Sequence, residues 1–149
     1  VVTPASGNSL AGVERITDLW RSVGSRVMCL SPEEHDRLVS RSSHLPHVIS
    51  AALASYVLDP REVPEQQQLC ATGFRDTTRV ASGSPEMWRD ISLANRAQLR
   101  RTLAAYIERL REFENLLDAS DAPAIEEFFR EARNRREAWG AQYSPASPE

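Results

Sequence analysis

Between Trp88 and Leu117 the apolar residues Ile91, Leu99, Leu103, Tyr106, Leu110, Phe113 and Leu117 recur at threes and fours, the period of one face of an α-helix. Unbroken, the pattern predicts a helix of about 34 residues, about 51 Å long at roughly 1.5 Å per residue. A stripe of that length overhangs any core that a chain of 149 residues can build. Its leftover apolar surface is expected to pack on the same helix of a second copy. The prediction is a homodimer, built on a long interface helix in an all-α fold.

The remaining helices announce themselves by their caps. Leu10, Val13, Ile16, Leu19 and Trp20 keep helical spacing behind Asn8 and Ser9, which predicts a helix over 10–22 that Gly24 ends. Ser31-Pro32-Glu33-Glu34 is a capping box with proline at the first helical position. The helix it starts is expected to run to Tyr56, with a kink near Ser43 to His47 where Pro46 removes an amide donor. Residues 59–68 read as a polar connection and 69–79 as an irregular, turn-rich segment, before a second capped start at Ser84-Pro85. A last helix is expected from Ser120 or Asp121, burying Ile125, Phe128, Phe129 and Ala132 and stopping at Gly140. The tail 141–149, with two Ser-Pro steps, is expected to be disordered. Val1 to Pro4 reads as the end of an extended segment. Arg26 to Leu30 is a β-prone piece that must pair either with Val1 to Thr3 or with a segment outside this sequence.

Composition removes several classes of function. With 21 acids against 18 bases the formal charge is -3, so no basic field draws the chain onto nucleic acid or anionic lipid. All the bases are arginine, which excludes a Schiff-base or catalytic lysine and leaves planar, permanently charged carboxylate clamps. Cys29 and Cys70 have neither metal nor redox spacing. No apolar run approaches the roughly 20 residues of a membrane span. With no signal peptide visible, the expected compartment is the cytoplasm.

Polar side chains capable of chemistry gather in three segments: Ser43-His44-Leu45-Pro46-His47, Gly73 to Arg79, and Ser84 to Asp90. The pair His44 and His47 admits three readings: a shared metal, capping of carbonyls freed by Pro46, or substrate binding. His35 is the one further histidine and no matching ligand set accompanies it, so no metal is expected. Arg75 and Asp76 are expected to pair or to cap something locally. Arg79, just before a small-residue linker, is placed to clamp a carboxylate with two parallel hydrogen bonds, and Trp88 to wall the same pocket. A Ser/His/Asp nucleophile set lacks a nucleophile elbow.

Those three segments, with Pro32, Glu34-His35-Asp36, Thr3-Pro4 and Asn95, resemble the C-terminal domain of prephenate and arogenate dehydrogenases of tyrosine biosynthesis. The resemblance covers almost everything from 1 to about 139. It implies a helical substrate-binding and dimerisation domain over 9–140, preceded at 1–8 by a short strand-containing remnant or linker of a nucleotide-binding domain. The intact enzyme would oxidise prephenate or arogenate with NAD or NADP and release carbon dioxide. The resemblance assigns Arg79 to a substrate carboxylate, reaching across the dimer. Ser43, His44 and His47 would line the cleft, and Trp88 would be its aromatic wall. It assigns the catalytic histidine and the cofactor to the other domain, so no catalytic residue is expected here and the isolated chain is expected to be inactive. Ala71 and Thr72 stand where the family usually has glycine, and Thr77 where an aromatic is common. The alternative function is a stand-alone helical dimer that binds a carboxylate metabolite without catalysis.

Overall fold

The computed structural model describes residues 1–143, and its elements are helices. In order they are α1 (Leu10–Ser22), α2 (Pro32–Val39), a π-helical turn (Ser40–His44), α3 (Leu45–Val57), α4 (Pro64–Gln68), α5 (Thr72–Thr78), a 3-10 turn (Arg79–Ser82), α6 (Pro85–Ala94), α7 (Arg96–Asp118) and α8 (Ala122–Tyr143). The all-α class is as expected. Among the described residues the strand-containing remnant amounts to one parallel bridge, Val2 to Cys29. Val2 N donates to Met28 O at 2.8 Å and Leu30 N to Val2 O at 3.1 Å. Of the two partners anticipated for the β-prone piece, the N-terminal segment is the one used.

The capped starts form as their chemistry requires. Ser9 Oγ accepts from Gly12 N, Ser31 Oγ from Glu34 N and Ser84 Oγ from Met87 N, each satisfying an amide with no partner inside the helix. Gly24, at φ +83°, closes α1 in the left-handed conformation glycine tolerates.

Four expectations change. The Pro46 helix does not simply kink: Leu45 N reaches back to Ser40 O, so a π turn takes up the lost donor and Pro46 falls in the first turn of α3, where its missing N–H is tolerated. The polar connection contains the short α4, and the irregular segment is the helix α5 followed by the 3-10 turn. There the hydroxyls of Thr77 and Thr78 bond back to the carbonyls of Gly73 and Phe74. The single long helix is two, α6 of 10 residues and α7 of 23, broken at Asn95 with φ -106° and ψ 29°. Finally, α8 runs through Gly140 to Tyr143, so the expected tail loses 141–143 to the helix, while 144–149 lie outside the described residues. Phe129 and Ala132 are exposed, whereas Ile125 and Phe128 are partly buried.

The chain forms two compact units, one from Val1 to Leu103 and one beginning at Ala104. In the first, α3 packs on the π turn, α5 and the 3-10 turn, and the buried residues are Thr17, Ser40, Ser50, Asn95 and Leu99. Ser40 Oγ meets Thr102 Oγ1 at 2.8 Å and ties the π turn to α7. In the second, Phe113 packs on Phe128 and Phe129 with ring centroids 4.9 and 5.6 Å apart. Arg109 lies over Phe128 and bonds Glu131.

Candidate functional site

The π turn and the start of α3 present His44 and His47 toward α6. His47 stacks on Trp88, with centroids 3.7 Å apart and planes 27° apart, and His44 meets the same indole edge-on at 6.3 Å. Trp88 reaches this position because residue 83 has no side chain: a Cβ there would lie 2.7 Å from the indole Nε1. The stack walls a cleft of about 240 Å3, lined also by Val48, Ala51, Val80, Ala81 and Ser92. The walls are largely apolar, which leaves orientation to the few polar atoms present.

Both imidazoles have assignable tautomers. Nδ1 of His47 lies 2.9 Å from the Ser43 carbonyl. A carbonyl only accepts, so Nδ1 carries the proton and the neutral ring is bare at Nε2. At His44 the donor is the Asn95 amide. Asn95 Nδ2 is 2.7 Å from the Asp36 carbonyl, which fixes the amide's orientation, and 3.3 Å from His44 Nδ1. That ring therefore accepts at Nδ1 and holds its proton at Nε2. Burial pushes the pKa of His44 below the ordinary 6.5; Asp36 pulls it back up, while His35 and His47 add to the depression.

Of the five residues expected at the site, the structure brings His47 and Trp88 into the cleft wall, with His44 beside them. Ser43 takes part through its carbonyl. Arg79 is exposed at the start of the 3-10 turn and is absent from the lining, although Val80 and Ala81 next to it are present. The expected Arg75–Asp76 pair does not form among the described residues; both side chains are exposed on α5. Of the three histidine readings, the backbone one is met in modified form: His47 bonds the Ser43 carbonyl, next to the Ser42 carbonyl that Pro46 leaves without its amide. Asn95 and Gly83 were not assigned site roles from sequence. Asn95 had a visible signal: it falls between Ile91 and Leu99 at spacings of four, a polar residue on the apolar stripe.

Among the described residues no group of three His, Cys, Asp or Glu is close enough to hold a metal. No described helix is long and apolar enough to cross a membrane. The turn between the Val2 bridge and α1 does not fit a dinucleotide pyrophosphate. Gly7 is its single glycine, and the Ser9 hydroxyl already occupies the Gly12 amide.

Residues 31–131 match the family model described as "Prephenate dehydrogenase, dimerization domain". The chain is 30% identical to the prephenate dehydrogenase of Bacillus subtilis (strain 168) over 99% of its own length and 40% of the relative's. It is 31% identical to the cyclohexadienyl dehydrogenase of Zymomonas mobilis over 91% of this chain and 47% of that one. The crystal structure of prephenate dehydrogenase from A. aeolicus with hydroxyphenyl propionate and NAD+ superposes with a TM-score of 0.84 at 28% identity, covering 91% of this chain and 48% of that one. Synechocystis arogenate dehydrogenase gives 0.82 at 25% identity, over 92% and 50%. The chain spans half or less of the length of each of these relatives.

Proposed function

The chain belongs to the prephenate dehydrogenase dimerization-domain family, and from that premise we propose that it is the substrate-binding and dimerisation part of an NAD- or NADP-dependent dehydrogenase acting on prephenate or arogenate in tyrosine biosynthesis. In this reading the intact enzyme, a cytoplasmic homodimer, oxidises the ring alcohol with loss of the ring carboxylate as carbon dioxide. The nicotinamide nucleotide supplies the hydride acceptor and is held outside the helical domain. The domain's own work is to bind and orient a dianion before transfer.

The observation that carries the reading is the His47–Trp88 stack over an apolar cleft, with the exposed guanidinium of Arg79 on the turn that forms one wall. A cyclohexadienyl ring suits the aromatic and aliphatic walls, and a carboxylate suits a permanently charged bidentate donor. Arg79 is outside the lining within one chain, which favours its serving the cleft of a second copy. Dimerisation has separate support. From Ala104 onward no described residue is fully buried, and a helical hairpin that buries so little needs a partner.

The domain boundary is proposed to lie at Ser31 rather than after residue 8. The family match starts there, α1 packs broadly on none of the other helices, and two parallel segments joined through a helix form a βαβ crossover, a unit of parallel sheets covered by helices on both faces.

Arg79→Ala tests the reading in the full-length enzyme. Loss of a charged hydrogen-bonded pair is expected to raise KM for prephenate or arogenate by about tenfold or more; unchanged kinetics would remove Arg79 from the site.

A further inference from the structure

His47 in the cleft wall and His44 beside it are held in opposite tautomers by partners of opposite polarity. The carbonyl of Ser43 puts the proton of His47 on Nδ1, and the amide of Asn95 puts that of His44 on Nε2. Asn95 is well placed to impose this. It is only 7% exposed, it terminates α6, and its amide nitrogen is anchored by the Asp36 carbonyl of α2 at 2.7 Å. Its two N–H groups therefore have two acceptors on the opposite helix run, and both are used.

We propose that Asn95 is a positioning residue of the substrate cleft: it holds His44 as the neutral Nε2–H tautomer, opposite to His47. The pair then keeps one N–H donor and one bare ring nitrogen on their Nε2 edges for a bound hydroxy acid. Protonating His44 at Nδ1 would face its new N–H with the amide N–H of Asn95, so the contact opposes charge on the ring. The charged and titratable groups acting on it are Asp36, His35 and His47; from α6 it meets Trp88 and Asn95. Arg79 is then the cation of the site, and the His44 ring contributes an uncharged donor.

The inference rests on the cleft being the substrate site, and its tests separate the two. Ring-nitrogen correlation spectra of the full chain read the tautomers without substrate. The expected result is His44 protonated at Nε2 and His47 at Nδ1. A His44 proton on Nδ1, or an averaged signal, would overturn the proposal whatever the function. In the intact dehydrogenase, Asn95→Asp replaces the donor by an acceptor of the same shape. It should move the His44 proton to Nδ1, raise the pH at which that ring titrates, and raise KM about threefold to tenfold. The pH profile of kcat/KM should shift with the ring. Asn95→Leu, which removes the donor without adding charge, should raise KM alike but shift the profile less. A folded Asn95→Asp enzyme with unchanged KM and pH profile sinks the positioning role. Where that variant fails to fold, the wild-type spectra decide. A failure of the substrate-site reading looks different: the tautomers stand, and Arg79→Ala leaves KM untouched.

Discussion

At the scale of single residues, the cleft depends on one missing Cβ, and the histidine beside it titrates below its ordinary value. Gly83 has an ordinary extended backbone, φ -69° and ψ 164°, so conformation does not demand glycine there; the indole does, because an added Cβ would lie 2.7 Å from its Nε1. Gly83→Ala should push Trp88 off His47 and destabilise the fold by about 1–3 kcal/mol, the usual range for overpacking. Tryptophan fluorescence and chemical denaturation together check this. His44 makes stability depend on pH. Its folded pKa lies below the unfolded 6.5, so in the window between them the unfolded chain binds more protons. Stability is full above pH 6.5 and falls as pH drops through the folded value. Denaturation midpoints at stepped pH should decline below 6.5 in the wild type, and this component of the decline should vanish in His44→Gln.

At the scale of elements, the π turn is the feature that aims the histidines. It is in effect one extra residue in a helix, so α3 is rotated by about 100° from where a continuous α-helix would place it. Pro46 favours this arrangement because it cannot donate to the carbonyl four residues back. Pro46→Ala restores that donor. It is expected to hold or raise Tm while raising KM about tenfold or more, because His44 and His47 lose their relation to Trp88. A melting curve and a kinetic measurement on the same preparation test the pair of effects. The break at Asn95 is the counterpart on the other side of the cleft. It ends α6 so that the amide can turn inward to Asp36 and His44.

At the scale of the whole molecule, the second unit carries Ile107, Leu110, Leu117 and Phe129 exposed, and from Ala104 onward no described residue is fully buried. Surface ion pairs such as Arg135–Glu131 contribute about 0–1 kcal/mol each and do not replace a core. Leu110, 51% exposed in one chain, is expected to be covered in a homodimer. Leu110→Asp should then weaken self-association at least tenfold, about 1.4 kcal/mol, as read by sedimentation velocity over a concentration series. A wild-type monomer at micromolar concentration would count against the dimer itself.

Local signals were sufficient for helix starts and class. A serine before proline, an apolar period of three to four and a glycine after a helix act through neighbours within a turn, so Ser9, Ser31, Ser84 and Gly24 could be read directly from the residue order. The same letters also singled out the Ser43 to His47 segment and Trp88, and the fold stacks His47 on Trp88. They did not reveal the break at Asn95, because the apolar stripe continues through it at helical spacing. They also did not reveal the exposure of Phe129. The π turn, the His47 tautomer and the need for glycine at 83 were likewise not legible, although their partners lie within five residues, because the backbone path and side-chain direction that bring those partners together are set by packing. The His44 tautomer depends on Asn95, 51 residues away. Helix termini are settled within a turn of backbone, whereas a side chain's proton and direction are settled by whichever acceptor or ring the fold brings against it.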